Sequence, residues 1–323
     1  MSTLVFLEHH GSDLHRGALG VLSKAATLGD GDVAGVLLGS GVRSLAAGAG
    51  RFGAGTVYVG DDPRLESPLP QPRVDVLARL VRDEGFDTVL FSSSVLSADV
   101  AAGLSARLDA GLNWDIIDLA RRDGELVGTR PVFGDSLYVE VGWSSEPRLA
   151  LVRSGTHDPQ EGAHGDAAVR DVEVELEDFS LLASMVEQTQ EVSEGPSIEE
   201  AEVIVAGGRG LGSAEGFGLV EELAEALGGA TAATRAVVDA GWYPFAKQVG
   251  QTGKTVSPKL YVACGISGAI QHKVGMASSG TIVAINKDRN APIFDYADLG
   301  VVGDLNEIVP KLAELVRARK SAQ

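Results

Sequence analysis

The stretch that most constrains this chain runs from Leu260 to Asn286 and reads LYVACGISGAIQHKVGMASSGTIVAIN. A short apolar run, Leu260 to Cys264, has the length and composition of a strand and breaks abruptly at Gly265-Ile266-Ser267-Gly268. Ala269 to Met276 then reads as helix, and a β-branched run from Thr281 to Ile285 follows, ending on Asn286. Strand, glycine turn, helix and strand in so few residues make a βαβ unit of about the minimum length. Amides freed at the start of the helix point at whatever sits above the turn, with Ser267, Gly268, Gln271 and His272 as the nearest polar groups. An anionic or phosphate-bearing ligand fits such a place.

The rest of the chain repeats the alternation. From Thr3 to Ala110 the apolar runs Leu4 to Leu7, Val33 to Leu38, Thr56 to Val59 and Thr88 to Phe91 alternate with helical segments at His15 to Leu28, Val42 to Phe52, Arg73 to Glu84 and Ala98 to Ala110. That spacing predicts a parallel sheet covered by helices. From Trp114 to Glu177 the pattern is β-rich, with turns at Gly124 and Gly134-Asp135, and is expected to add hairpin strands to the same sheet. An acidic stretch containing Gly195-Pro196 follows and reads as a linker. Val203 to Ala206 opens a second series of elements, with a helix from about Ala214 to Leu227 and a last one from Leu305 to Lys320 that Pro310 is expected to kink or break. The fold class is therefore α/β in two domains, each a mainly parallel sheet flanked by helices: residues 1–190, a linker at 191–200, and residues 201–323. A length of 323 residues suits two domains of ordinary size.

Composition removes several functions. A net charge of −18 argues against a general nucleic-acid binder, because phosphate contacts need clustered Lys and Arg. The single cysteine, Cys264, excludes an internal disulfide and a Cys-rich metal site, and its apolar strand suggests a buried thiol. Leu4 to Leu7 is too short for a secretory core, and no apolar run approaches the ~20 residues of a membrane helix. The expectation is a cytoplasmic protein without membrane insertion. His9, His10, His15, His157 and His164 show no metal-ligand spacing with carboxylates, so no metal is expected. Spacing alone builds no Ser-His-Asp or Cys-His arrangement, hence no catalytic residue is named.

Two glycine-rich motifs need weighing. Gly207 to Gly212 reads GGRGLG after a strand; its spacing differs from G-x-G-x-x-G, and it is either a plain turn or a ligand turn in which Arg209 pairs with a pyrophosphate. Gly250-Gln251-Thr252-Gly253-Lys254-Thr255 imitates the end of a P-loop. A P-loop requires glycine where this chain has Gln248, and Pro258 interrupts the helix that must follow, so a nucleoside triphosphatase is rejected. As a loop, the segment offers amides and a hydroxyl to a flat heterocycle. His272 is by itself a structural helical histidine as readily as a functional one, and Asn286 and Asp304 either cap helices or reach a nucleoside.

These segments together resemble the alpha (large) subunit of electron-transfer flavoproteins. The resemblance is carried by Leu260 to Ala263, Gly265 to His272, Gly275 and Val283 to Asn286. Further along it come Gly207-Gly208-Arg209-Gly210, Thr234 to Gly241, Val249 to Lys254 and Ala291 to Phe294, in the family's order. Thr234 stands where the family has serine, keeping the hydroxyl on a stiffer side chain. The resemblance implies that the carboxyl-terminal domain is a Rossmann-like FAD-binding domain and that the amino-terminal domain pairs with a beta subunit, which carries AMP or a second FAD. Arg209, Thr234, Arg235, Val249, Gly250, Gln251 and Thr252 would hold the FAD, Arg235 over the ring and Thr252 near its reactive nitrogen. Ser267, Gly268, Ala269, Ile270, Gln271, His272, Asn286, Asp304 and Leu305 complete the implied site, with His272 at the pyrimidine edge. It implies electrons arriving from acyl-CoA or related dehydrogenases and leaving to a membrane quinone oxidoreductase, and so a carrier without its own substrate-transforming site. Two other classes stay open: a flavin- or NAD-dependent oxidoreductase acting on a small substrate, and a nucleotide-binding regulatory module with no redox role.

Overall fold

The computed structural model describes residues 2–29, 31–133, 135–162, 165–187, 197–199 and 201–321. Its contacts divide the chain into two units, Met1–Val132 with Leu137–Thr189, and Phe133–Ser136 with Gln190–Gln323. Most of the expected linker, residues 191–196 and 200, lies outside the described residues.

In the first unit seven strands form one sheet in the order Ala168–Asp171, Thr56–Asp61, Val33–Gly39, Thr3–Phe6, Thr88–Ser92, Arg148–Val152 and Leu112–Ile116. All of these pairings are parallel. Alternation along Leu4, Val5, Phe6 and Leu7 sends side chains to opposite faces. Leu4 and Phe6 pack with Leu77, Phe91 and Leu104, whereas Val5 and Leu7 pack with Ala18, Leu22 and Leu37. Each fully buried Leu, Val or Phe contributes about 1.5–3 kcal/mol, so the two faces dominate the stability of the unit. The helices begin and end where local chemistry allows. Pro70 opens the Pro70–Glu84 helix, Gly85 closes it at φ +69°, and Ser94 caps Val95–Leu108 by accepting the Ser97 N–H at 2.9 Å.

The hairpin strands depart from expectation. Asp118–Arg122, Glu125–Val132 and Leu137–Val141 do not extend the main sheet; they pair antiparallel among themselves in a separate three-stranded sheet. Asp123 and Gly124, at φ +52° and +86°, form the tight turn that suits a two-residue hairpin, so these strands find partners locally. Arg148–Val152 does join the main sheet, running parallel between two other strands.

The second unit has six strands, all parallel, in the order Gln248–Val249, Ala230–Thr234, Val203–Gly207, Leu260–Cys264, Thr281–Asn286 and Leu299–Val302. In chain order that is 3-2-1-4-5-6, the arrangement of dinucleotide-binding sheets. One face packs Val205, Val262 and Cys264 against the Phe217–Leu227 and Leu305–Ser321 helices, and the other packs Ile204, Tyr261 and Ile282 with Met276 and Ile293. Cys264 is fully buried, and burial pushes its thiol up to about 12. Two expectations change here. The last helix continues through Pro310 from Leu305 to Ser321 without a break. The helix expected at Ala269 to Met276 shrinks to Ile270–Lys273, because the chain turns at Gly275 to lie against Gly250; a Cβ there would meet the Gly250 nitrogen at 2.4 Å. Among the described residues no helix is long and apolar enough to cross a membrane.

Candidate functional site

Order 3-2-1-4 reverses direction between Val203–Gly207 and Leu260–Cys264, and ligands of open α/β sheets bind beyond the carboxyl ends of the strands at such a reversal. A cleft of about 570 Å³ lies there, inside the usual range of about 300–1,000 Å³ for ligand sites. Five strands supply its walls through the residues that end or follow them. They are Gly208, Arg209 and Gly210; Thr234 and Arg235; Val249 to Thr252; Gly265 to Ser267 with Ala269, Gln271 and His272; and Asn286 with Asp288.

Glycine permits this convergence because two turns touch backbone to backbone. The Gly208 N–H donates to the Cys264 carbonyl and the Gly210 N–H to the Gly265 carbonyl, both at 2.9 Å. A Cβ on Gly208 would sit 2.4 Å from the Gly265 oxygen, so any side chain forces the turns apart. Gly268 has a different reason. At φ +85° its missing Cβ faces the Ile293 nitrogen at 2.4 Å, and the Ile293 N–H donates to the Ser267 carbonyl at 3.0 Å. Gly268 therefore shapes the turn without lining the cleft, and a side chain there would strike Ile293 first. The N–H groups of Ser267, Gly268 and Ala269 have no hydrogen-bond partner among the described residues. With only four helical residues following, these amides rather than a helix dipole are what the segment offers an anion.

Charge at the site is arranged asymmetrically. Arg209 is exposed at the cleft and has no side-chain hydrogen bond or ion pair among the described residues, in a chain of net charge −18. Arg235 pairs with Asp239 one turn later, Nε to Oδ2 at 3.2 Å, and both are more than half exposed. Thr252 Oγ1 accepts from Gln248 Nε2 at 3.2 Å, which leaves its hydroxyl hydrogen for a ligand. Asn286 is a clamp: its amide donates to the Ile266 carbonyl at 2.9 Å and its oxygen accepts from the Asp288 N–H at 3.0 Å.

His272 is 6% exposed and both ring nitrogens are engaged, Nε2 with the Tyr261 hydroxyl and Nδ1 with the Val249 carbonyl, each at 3.0 Å. Burial lowers its pKa to about 4, against a smaller raising effect from the Val249 carbonyl, so the ring is neutral near pH 7. Three other expected site residues lie off the cleft wall. Ile270 is 70% exposed at the start of the short helix. Leu305 is buried among core side chains beneath the Gly265 turn. Asp304 stands at the start of the last helix and accepts the Asn306 N–H at 2.9 Å, the contact that chiefly holds its carboxyl below the usual range. The cleft also includes Asp239 and Asp288, which sequence reading passed over. Asp239 was signalled by its spacing of four from Arg235, whereas nothing local marks Asp288.

Comparison with known proteins decides the family. A family model described as "Electron transfer flavoprotein domain" matches residues 3–177, and one described as "Electron transfer flavoprotein FAD-binding domain" matches residues 197–277. The chain belongs to the electron transfer flavoprotein alpha-subunit family. It is similar to "Electron transfer flavoprotein subunit alpha" of Thermoanaerobacterium thermosaccharolyticum, 38% identical over 322 residues, covering 98% of both chains. Its similarity to the protein of the same name from Mycobacterium leprae is 41% over 321 residues, again 98% of both. The Bacillus subtilis counterpart is 41% identical over 289 residues, 88% of both. The segment matched by the FAD-binding model contains the Arg209, Arg235, Val249–Thr252 and Gly265–His272 walls of the cleft, while Asn286 and Asp288 lie beyond its end.

Proposed function

We propose that this chain is the FAD-holding alpha subunit of a heterodimeric electron-transfer flavoprotein. The reading rests on one observation above the others: the cleft at the strand reversal combines an Arg209 and turn amides that have no partner among the described residues with glycines in backbone contact, all within the carboxyl-terminal unit. These residues fit a dinucleotide. Arg209 and the Ser267 to Ala269 amides would neutralise a pyrophosphate by charge-assisted hydrogen bonds, and the absence of side chains at Gly208 and Gly265 lets the two turns that carry these groups pack together. Thr252 would donate its hydroxyl to the ring, Arg235 would add positive charge beside it, and Asn286 would fix the rim on the nucleoside side. Bound FAD supplies reversible electron transfer, a chemistry that protein side chains do not offer at this site. The chain's part is to bind, orient and shield.

In this reading residues 201–323 form the flavin domain, residues 1–190 pair with a beta subunit that carries AMP or a second FAD, and the complex works in the cytoplasm. It takes electrons from acyl-CoA or related dehydrogenases and passes them to a membrane quinone oxidoreductase. Co-purification with the beta subunit, an absorption spectrum and identification of the extracted nucleotides test the first part. FAD in stoichiometric amount is expected; a colourless complex overturns it. Mixing with a reduced acyl-CoA dehydrogenase should bleach the flavin, and no bleaching with any flavin dehydrogenase would remove the donor assignment.

A further inference from the structure

Tyr261 sits in the Leu260–Cys264 strand beneath the cleft and is fully buried. Its hydroxyl meets His272 Nε2, and His272 Nδ1 meets the Val249 carbonyl, both at 3.0 Å. A carbonyl only accepts, so Nδ1 carries the hydrogen; in a neutral ring Nε2 is then the acceptor, and the tyrosine must donate. The chain of bonds therefore has a single direction, from a core strand through the short helix to the loop lining the cleft. That loop is held at a second point, where the Gln251 N–H donates to the Gln271 carbonyl at 2.7 Å.

We infer that Tyr261 is a positioning residue for the cleft. It fixes the orientation of His272, whose Nδ1–H tautomer the Val249 carbonyl sets, and through that ring the Val249–Thr252 loop. With Nδ1 held by the Val249 carbonyl, His272 shapes the wall and keeps the loop in place. Phenylalanine at position 261 keeps the volume but leaves Nε2 buried without a donor, which frees the ring to turn.

The test compares wild type with Tyr261→Phe on the full chain co-purified with its partner subunit, before and after FAD removal. Nitrogen-15 NMR of labelled histidine should show His272 protonated at Nδ1 and unprotonated at Nε2 in the wild type, with or without FAD. In Tyr261→Phe the Nδ1 proton should stay, held by the Val249 carbonyl, while the Nε2 resonance moves as it loses the tyrosine donor, and an unmoved Nε2 resonance overturns the role. Amide exchange at Gln251 should accelerate about ten- to a hundredfold while sheet amides at Val205 and Val262 hold their protection. FAD affinity should weaken by a factor of that order or less, an arm that rests on the FAD reading. A wild-type His272 protonated at Nε2, unchanged exchange at Gln251, or exchange raised equally in the central strands each overturns the positioning role. Failure to bind FAD at all defeats only the FAD reading, because the tautomer and exchange measurements stand without it.

Discussion

Both units place their first four main-sheet strands in the order third, second, first, fourth, yet the residues beyond the strand ends are used in opposite ways. In the amino-terminal unit the chain leaves its first strand into Leu7 and Glu8. The Glu8 carboxylate accepts from the hydroxyls of Ser94 and Ser97, the latter at 2.8 Å, at the start of the Val95–Leu108 helix. Arg73, 3% exposed and lowered to about 10 by burial, is steadied by that carboxylate. Asp115 and Arg153 make a bidentate pair at the end of a neighbouring strand. The protein's own carboxylate thus occupies the anion position at this crevice. In the carboxyl-terminal unit the corresponding exit is Gly207-Gly208-Arg209-Gly210, whose glycine amides bond the Cys264 and Gly265 carbonyls, while the Arg209 guanidinium and the Ser267 to Ala269 amides of the facing turn have no partner among the described residues. Sheet order nominates the place, and the first few residues after the strand decide whether a ligand can use it.

The sharpest way to break the contrast is to fill the glycine contact. Gly208→Ala or Gly268→Ala places a Cβ 2.4 Å from backbone and should destabilise the carboxyl-terminal unit by about 3 kcal/mol or more, read by chemical denaturation. Gly241→Ala, at φ +71° with nothing within 4 Å, should cost only about 1 kcal/mol. Equal losses at the three positions would mean that the turns do not depend on close approach.

Next in size is the response to acid. The folded pKa of His272, about 4, lies below its ordinary 6.5, so the unfolded chain binds the extra proton between those values. Its contribution is fully present above pH 6.5 and is lost as pH falls toward 4, by roughly 3 kcal/mol in total. Stability measured across that window in wild type and His272→Gln should diverge at pH 7 and converge near pH 4. Parallel curves would show that the ring is not buried neutral.

How much of this was legible follows the range of the interactions. The strands Leu260–Cys264 and Thr281–Asn286 are written in local apolar and β-branched runs, and both stand where the sequence puts them. The helix after Gly268 was overestimated because its length is set by Gly275 packing on Gly250, a contact between segments distant in sequence. The Asp118–Arg122 and Glu125–Val132 strands were recognisable, but their sheet was not, since a period-two pattern does not name the neighbour. Arg209, Thr252 and Gln271 line one cleft, Arg209 and Gln271 from turns legible after strands and Thr252 from a segment that only the family resemblance set beside them. The Tyr261 hydroxyl had no sequence signal, because a tyrosine in an apolar strand looks like any core aromatic.

Two smaller effects sharpen the comparison. Glu8→Ala should cost about 1–3 kcal/mol by stripping Ser94 and Ser97 of their acceptor, with flavin content unchanged; a variant that loses flavin would tie the amino-terminal crevice to the site. Arg235→Ala should leave stability within about 0.5 kcal/mol and lower the first one-electron potential of bound flavin by on the order of 40 mV, since an exposed charge already paired with Asp239 acts weakly. Arg235→Lys should recover part of it, and an unaltered potential in the alanine variant would remove Arg235 from the site's electrostatics.

The most direct test of the central claim is hydrogen exchange by mass spectrometry on the purified complex before and after FAD is removed and restored. FAD should protect the backbone at residues 207–212, 249–254 and 265–272 and leave residues 8–16 and 92–97 unchanged. Protection at the amino-terminal crevice, with none at the glycine turns of the carboxyl-terminal unit, would contradict the account.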